Sequence, residues 1–150
     1  MSTQPKRVFP PFGMTPDIWG PIFWRTMHIV SLGYSPNPTE QEQTATKQFY
    51  ESLQYVIPCP ICREHYSHIL SSMPPRVESR DALIEWVFEV HNKVNEQLGK
   101  PQFTWEQYVA SMIALRDGAA AAATGPNWLL YGIAGAALGS AAYYMYNKYK

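Results

Sequence analysis

Cys59 and Cys62 are the only cysteines in this 150-residue chain, and both belong to one motif, Cys59-Pro60-Ile61-Cys62. Two sulfurs at this spacing close a small disulfide or help to hold a metal, so any thiol chemistry of the chain happens here. A sulfur near the first turn of a helix meets unpaired N–H groups and the positive end of the helix dipole. Both favour thiolate and lower the pKa below its free value of about 8.5. Pro60 fixes the backbone between the two sulfurs, and the pair is placed to exchange with an incoming thiol.

Metal binding competes with redox chemistry for this motif, because His65 and His68 follow at three-residue steps. On a helix each such step turns the side chain by about 60°, so Cys59 to His68 sweeps about half a turn. Four ligands spread over that arc do not converge on one tetrahedral ion. Cys59 and Cys62 with more distant histidines remain open, and a membrane-tethered zinc-binding adaptor without catalysis is the rival reading. A thioredoxin-like arrangement needs a βαβ pattern around the motif, and none is visible.

The elements that must position the motif read as helices throughout. Thr15 caps a first helix with Pro16 at its first position, where the missing N–H costs nothing. Ile18, Trp19, Ile22, Phe23, Ile29 and Val30 give it a wide apolar stripe, and Gly33 with Ser35-Pro36-Asn37-Pro38 ends it. Thr39 and Glu42 form a capping box for a second helix, which carries Phe49, Leu53 and Val56 on one face and stops near Pro58. The cysteine motif opens a third helix that runs to about Ser72 and breaks at Pro74-Pro75. A fourth runs from about Ser79 to Leu98 with Leu83, Val87, Val90 and Val94 inward, and Gly99 and Pro101 close it. Thr104 and Gln107 repeat the capping box for a short fifth helix reaching roughly Arg116. No stretch sustains strand alternation. The expectation is an all-α fold, a small bundle of four helices plus a short fifth over residues 16–117, behind a flexible lead at 1–15.

Composition then changes. Gly118 to Asn147 contains no charged residue, and Trp128 to Tyr146 is an apolar stretch of nineteen residues. At 1.5 Å per residue it extends roughly 28 Å, about the thickness of a hydrocarbon layer. Trp128 and Tyr131 at one end, and Tyr143, Tyr144 and Tyr146 at the other, suit an interfacial belt. We therefore expect a linker at 118–127, a single transmembrane helix at 128–146 and a tail at 147–150. The start of the chain has Lys6 and Arg7 but no apolar run behind them, so the bundle is expected in the cytosol. Charge is balanced, twelve basic against twelve acidic residues, which excludes a broad phosphate-binding surface and argues against nucleic acid as a partner. Aromatic residues make up 14% of the chain, which suits a pocket that stacks on a flat ligand.

Several separated segments together resemble one family. Trp19-Gly20-Pro21, Trp24 and His28 are similar to the WGxxxWxxxH opening of the flavin-linked sulfhydryl oxidases of the Erv and ALR type. Pro58-Cys59-Pro60-Ile61-Cys62 resembles their redox centre, and His91-Asn92-Lys93-Val94-Asn95 with Leu98-Gly99-Lys100-Pro101 resembles their HNxVNxxLGKP segment. Trp105 and Tyr108 fall where that family has its last flavin-side aromatics. The resemblance implies a helical bundle that holds FAD, usually as a homodimer. It also implies electron flow from a substrate dithiol to the cysteine pair, to FAD and to molecular oxygen, giving hydrogen peroxide. Carried over by motif, Cys59 is the outer sulfur attacked by substrate and Cys62 the inner one facing the flavin. Trp19, Trp24, His28, His91, Asn92, Val94, Asn95, Lys100 and Trp105 would line the FAD site; apart from the motifs, the position of His65 one turn beyond Cys62 would let it contact the cofactor or tune the thiolate. The chain has no second cysteine pair, so protein thiol substrates reach Cys59 directly or through a separate thiol-carrier protein. A compact bundle with an anchor is most similar to the forms of large cytoplasmic DNA viruses, which implies a host-cell or virion membrane.

Overall fold

The structure is a computed structural model that describes residues 14–124, with side-chain surroundings as far as Gly118. Five helices account for the regular structure of these residues, and no strand occurs among them: α1 (Pro16–Leu32), α2 (Glu40–Val56), α3 (Pro60–Ser72), α4 (Arg80–Gln97) and α5 (Trp105–Thr124).

The helix ends follow from local chemistry. At α2 the Glu42 amide donates to Thr39 Oγ1 at 3.2 Å, and the Thr39 amide donates to Glu42 Oε2 at 2.7 Å, a complete capping box. The same reciprocal pair opens α5, from Gln107 N to Thr104 Oγ1 (3.3 Å) and from Thr104 N to Gln107 Oε1 (2.9 Å). Ser79 caps α4 by accepting from the Ala82 amide. Gly99 closes α4 at φ +65°, the one positive φ among the described residues. Its amide reaches Glu96 O at 2.9 Å and the Lys100 amide reaches Asn95 O at 2.8 Å, the paired bonds of a Schellman turn.

Helix α1 packs mainly on α4, and α2 on α3. Trp86, Tyr50, Leu83, Val87 and Val90 form the centre of the core. Three of the buried polar tips in it are satisfied by main-chain oxygens. Tyr50 Oη donates to Met27 O, Tyr66 Oη to Tyr50 O, and Trp86 Nε1 to Met73 O, tying α1, α2, α3 and α4 together.

Three expectations change. Helix α5 is not short: it has 20 residues and runs past Arg116 to Thr124, into the stretch expected to link. Alanine is the best helix former, and nothing in Ala119–Ala123 stops propagation before Gly125-Pro126. The stripe of α1 divides into two: Trp19 is buried, whereas Ile18, Ile22 and Ile29 are 48%, 58% and 52% exposed. Val56, expected inward, is 59% exposed because α2 ends there and Ile57 turns into the core in its place. The lead before Met14, the later part of the expected linker, the transmembrane helix expected at 128–146 and the tail lie outside the described residues. Among the described residues no helix is long and apolar enough to cross a membrane.

Candidate functional site

The site begins at the N-terminus of α3. Cys59 is the N-cap, with extended backbone at φ −119° and ψ 113°, and its Sγ accepts from the Cys62 amide at 3.3 Å. Cys62 stands in the first helical turn behind Pro60, and the two sulfurs are joined as a disulfide. A sulfur held at a helix N-terminus by a backbone N–H is a site where thiolate is favoured once the bond opens. Among the described residues no group of three or more His, Cys, Asp or Glu side chains is arranged to hold a metal ion.

Cys62 faces an apolar pocket. Trp19, Phe23, Trp24 and Met27 of α1 form one wall; His65 and Tyr66 of α3 flank the sulfur; Val94, with Leu98 just past the end of α4, forms the other wall. Cys59 is not part of that lining. Trp19 and Phe23 meet edge to face at 5.5 Å, which fixes the wall nearest the α1 N-terminus.

Behind Trp24 lies a stack of rings. Trp24 and His91 are parallel, with centroids 3.9 Å apart and 4° between their planes. His28 Nε2 and His91 Nδ1 are 3.0 Å apart, linking α1 to α4. Tyr108 of α5 packs against His28 at 5.2 Å, and Phe103 meets His91 at 5.6 Å. Burial disfavours the charged imidazolium, so the His28 pKa falls from 6.5 to about 4. His91 falls to about 3 by burial and by the neighbouring His28. Both rings are neutral at neutral pH.

The remaining predicted residues have distinct places. Asn95 is buried on α4, and its carbonyl receives the Lys100 amide. Lys100 is partly buried, which pulls its pKa below the usual lysine value. Asn92 engages the main chain of the α4–α5 loop, donating from Nδ2 to Phe103 O at 2.9 Å and accepting at Oδ1 from the Phe103 amide at 2.8 Å. It therefore positions Phe103 against His91. Trp105 is 43% exposed and meets Phe88 edge to face at 5.3 Å; it is not on the Cys62 pocket. Thus Trp19, Trp24, His65 and Val94 converge beside Cys62, with His28 and His91 one layer behind.

Sequence reading missed Phe23, Met27, Tyr66 and Leu98 as pocket residues. A signal existed for three of them. Trp19, Phe23 and Met27 repeat at four-residue steps on α1, and Tyr66 follows Cys62 by four, so each shares a face with a residue already singled out.

The residues fit a flat, heteroatom-bearing ring system such as a flavin. Trp19 Nε1, on the pocket wall, is buried with no hydrogen-bond partner within the protein, and so is His28 Nδ1, one layer behind it. Orphaned polar atoms beside an aromatic-walled pocket are what a bound heterocycle would satisfy.

Residues 21–113 match the model of the Erv1 / Alr family. A probable FAD-linked sulfhydryl oxidase of Acanthamoeba polyphaga mimivirus is 36% identical over 102 residues, covering 66% of this chain and 71% of that protein. The mitochondrial FAD-linked sulfhydryl oxidase Erv1 of Saccharomyces cerevisiae is 36% identical over 97 residues, covering 61% of this chain and 51% of the yeast one. An FAD-linked sulfhydryl oxidase of African swine fever virus is 32% identical over 96 residues, covering 60% and 76%. The fold is similar to the crystal structure of the yeast Erv1 core, with a TM-score of 0.57 at 34% identity over 68% of this chain and 84% of that one.

Proposed function

We infer the function from the premise that this chain belongs to the Erv1 / Alr family, as the match over residues 21–113 shows. It is an FAD-dependent thiol oxidase that forms disulfide bonds. The observation that carries the reading to this chain's own atoms is the disulfide whose Cys62 side borders the pocket of Trp19 and Trp24.

Electrons enter by thiol–disulfide exchange. A substrate thiolate attacks Cys59 Sγ, the sulfur outside the pocket, and the Cys59–Cys62 bond breaks with Cys62 leaving as thiolate. The second substrate thiolate then attacks the substrate sulfur of the mixed disulfide. Substrate departs oxidised, and both enzyme sulfurs are left reduced. The Cys62 amide, pointed at Cys59 Sγ, stabilises negative charge on that sulfur as it is expelled. Bound FAD would accept the electron pair from the reduced cysteines and deliver it to molecular oxygen, giving hydrogen peroxide. Trp19, Trp24, His65 and Val94 would hold its ring beside Cys62. His28 and His91, both neutral, brace Trp24 and keep charge out of the pocket. The disulfide state also weighs against the zinc-adaptor reading, since thiolates are the metal ligands.

Three finer features belong to the same proposal. The chain forms a homodimer, for which the exposed Ile18, Ile22, Ile29 and Leu32 on α1 supply an apolar face. The stretch 128–146 anchors it in a membrane, with the bundle on the cytosolic side, a reading supported by its length and freedom from charge. Protein thiols reach Cys59 directly or by way of a separate carrier protein, since the chain has no further cysteine to relay electrons. The test is a visible absorption spectrum of the protein purified with FAD, before and after a dithiol, with oxygen uptake followed in parallel. Flavin absorbance that bleaches anaerobically and returns with air is expected. Folded protein that stays colourless after FAD is supplied overturns the reading.

A further inference from the structure

Around Cys59 the surface is apolar where a helix end is ordinarily polar. Tyr55 is 72% exposed and Val56 is 59% exposed, both in the last turn of α2. Pro58 and Pro60 flank Cys59 and are exposed, and Ile61 is exposed between the two sulfurs. No charged side chain interrupts the run from Tyr55 to Cys62. Arg63 Nη1 donates to Tyr55 O at 3.1 Å, which fastens the end of α2 to α3 and holds the patch in one shape. A shallow groove between α2 and α3 begins at Tyr55 and is lined by polar side chains, among them Gln48, Ser52, Ser67 and Ser71.

We propose that the Tyr55–Val56 face around Cys59 is a docking surface for a polypeptide, and that it selects dithiol segments flanked by apolar side chains. This rests on the thiol-oxidase reading and names the substrate class of the same site. The patch adjoins the sulfur that a substrate must reach, so its occupant is a thiol-bearing molecule. A second copy of this chain seated there would cover Cys59. The adjoining groove also carries Glu51, and its Ser52, Ser67 and Ser71 hydroxyls, which donate within the protein, retain lone pairs that accept from main-chain N–H groups, so it suits a polypeptide better than a lipid surface. Tenfold in kcat/KM corresponds to about 1.4 kcal/mol, which covering one large apolar side chain supplies.

The test compares two dithiol peptides of equal length with the full-length protein carrying FAD. In one the cysteine pair is flanked by Leu and Phe, in the other by Ser and Gly. Native protein is expected to favour the apolar peptide by about tenfold in kcat/KM, expressed mainly in KM. In the double variant Tyr55→Ser, Val56→Ser that ratio is expected to fall to about two or less, whereas Tyr55→Phe, which retains the ring, preserves it. A native ratio near one, or a ratio that survives the double substitution, overturns the proposal while oxygen uptake with dithiothreitol keeps the activity standing. Oxygen uptake with neither peptide nor dithiothreitol overturns the activity and the docking surface together. Dissociation of a dimer by the double variant, seen by sedimentation, would assign the face to a second copy and equally overturn it.

Discussion

His28 Nε2 lies 3.0 Å from His91 Nδ1, so one N–H is shared between the two rings and ties α1 to α4. Two protonated rings would present N–H to N–H, so the bond needs at least one neutral ring, and burial keeps both neutral at pH 7. Trp24, stacked on His91, takes its orientation from this pair.

Acid is therefore expected to weaken the fold. Each folded-state pKa lies below the unfolded value of 6.5, near 4 for His28 and near 3 for His91. The unfolded chain binds more protons between those values, so the stabilisation is whole above pH 6.5 and is lost as pH falls toward 4 and then 3. At pH 5 a single such histidine costs about 2 kcal/mol of stability. Urea unfolding at pH 7 and pH 5 measures it, with His28→Gln reducing the slope; equal stability at the two pH values contradicts the neutral pair.

Cys62→Ser is expected to abolish dithiol-driven oxygen uptake while FAD absorbance remains. Cys59→Ser is expected to do the same. The spectrum of each purified variant separates chemistry from fold, because loss of flavin together with activity would make the cysteine a structural element.

Asn92 is expected to act through the loop it holds. Asn92→Ala removes two hydrogen bonds to Phe103 and leaves a partly buried main-chain pair unanswered, a cost of about 1–3 kcal/mol. Thermal unfolding should fall by several degrees. FAD affinity should weaken through displacement of Phe103 from His91, and calorimetric titration with FAD reads that effect. An unchanged Tm would deny the clamp.

Charge on the outer face of α1 is expected to break the proposed dimer. Ile22 is 58% exposed and Ile29 is 52% exposed, so Ile22→Glu with Ile29→Glu should leave the monomer folded. Sedimentation velocity should then show half the native mass with an unchanged helical circular dichroism signal. A native dimer that withstands both charges places its interface elsewhere.

Helix boundaries were the most legible part of this sequence. Thr39 with Glu42, Thr104 with Gln107, Pro16 and Gly99 each mark an end through a local bond or a restricted φ, and local chemistry is written locally. The pairing of Cys62 with Trp19 and Trp24 was legible through the family's spacing. Which side of α1 faces inward was not, because its apolar residues encircle the helix and only α4 decides. The length of α5 was hidden by treating an alanine run as a spacer although it propagates helix. The bond between Asn92 and Phe103 was not legible, because a turn that no periodicity describes brings the two together.

Cys59 is at once the sulfur that exchanges and the acceptor that starts α3. Architecture and reactivity therefore converge on a single atom, and the choice of replacement decides what an experiment measures. Serine keeps an oxygen where the Cys62 amide needs a partner. Alanine silences the exchange and also unseats the first turn, at about 1 kcal/mol, so a comparison of the two isolates the sulfur's scaffolding duty from its electron traffic.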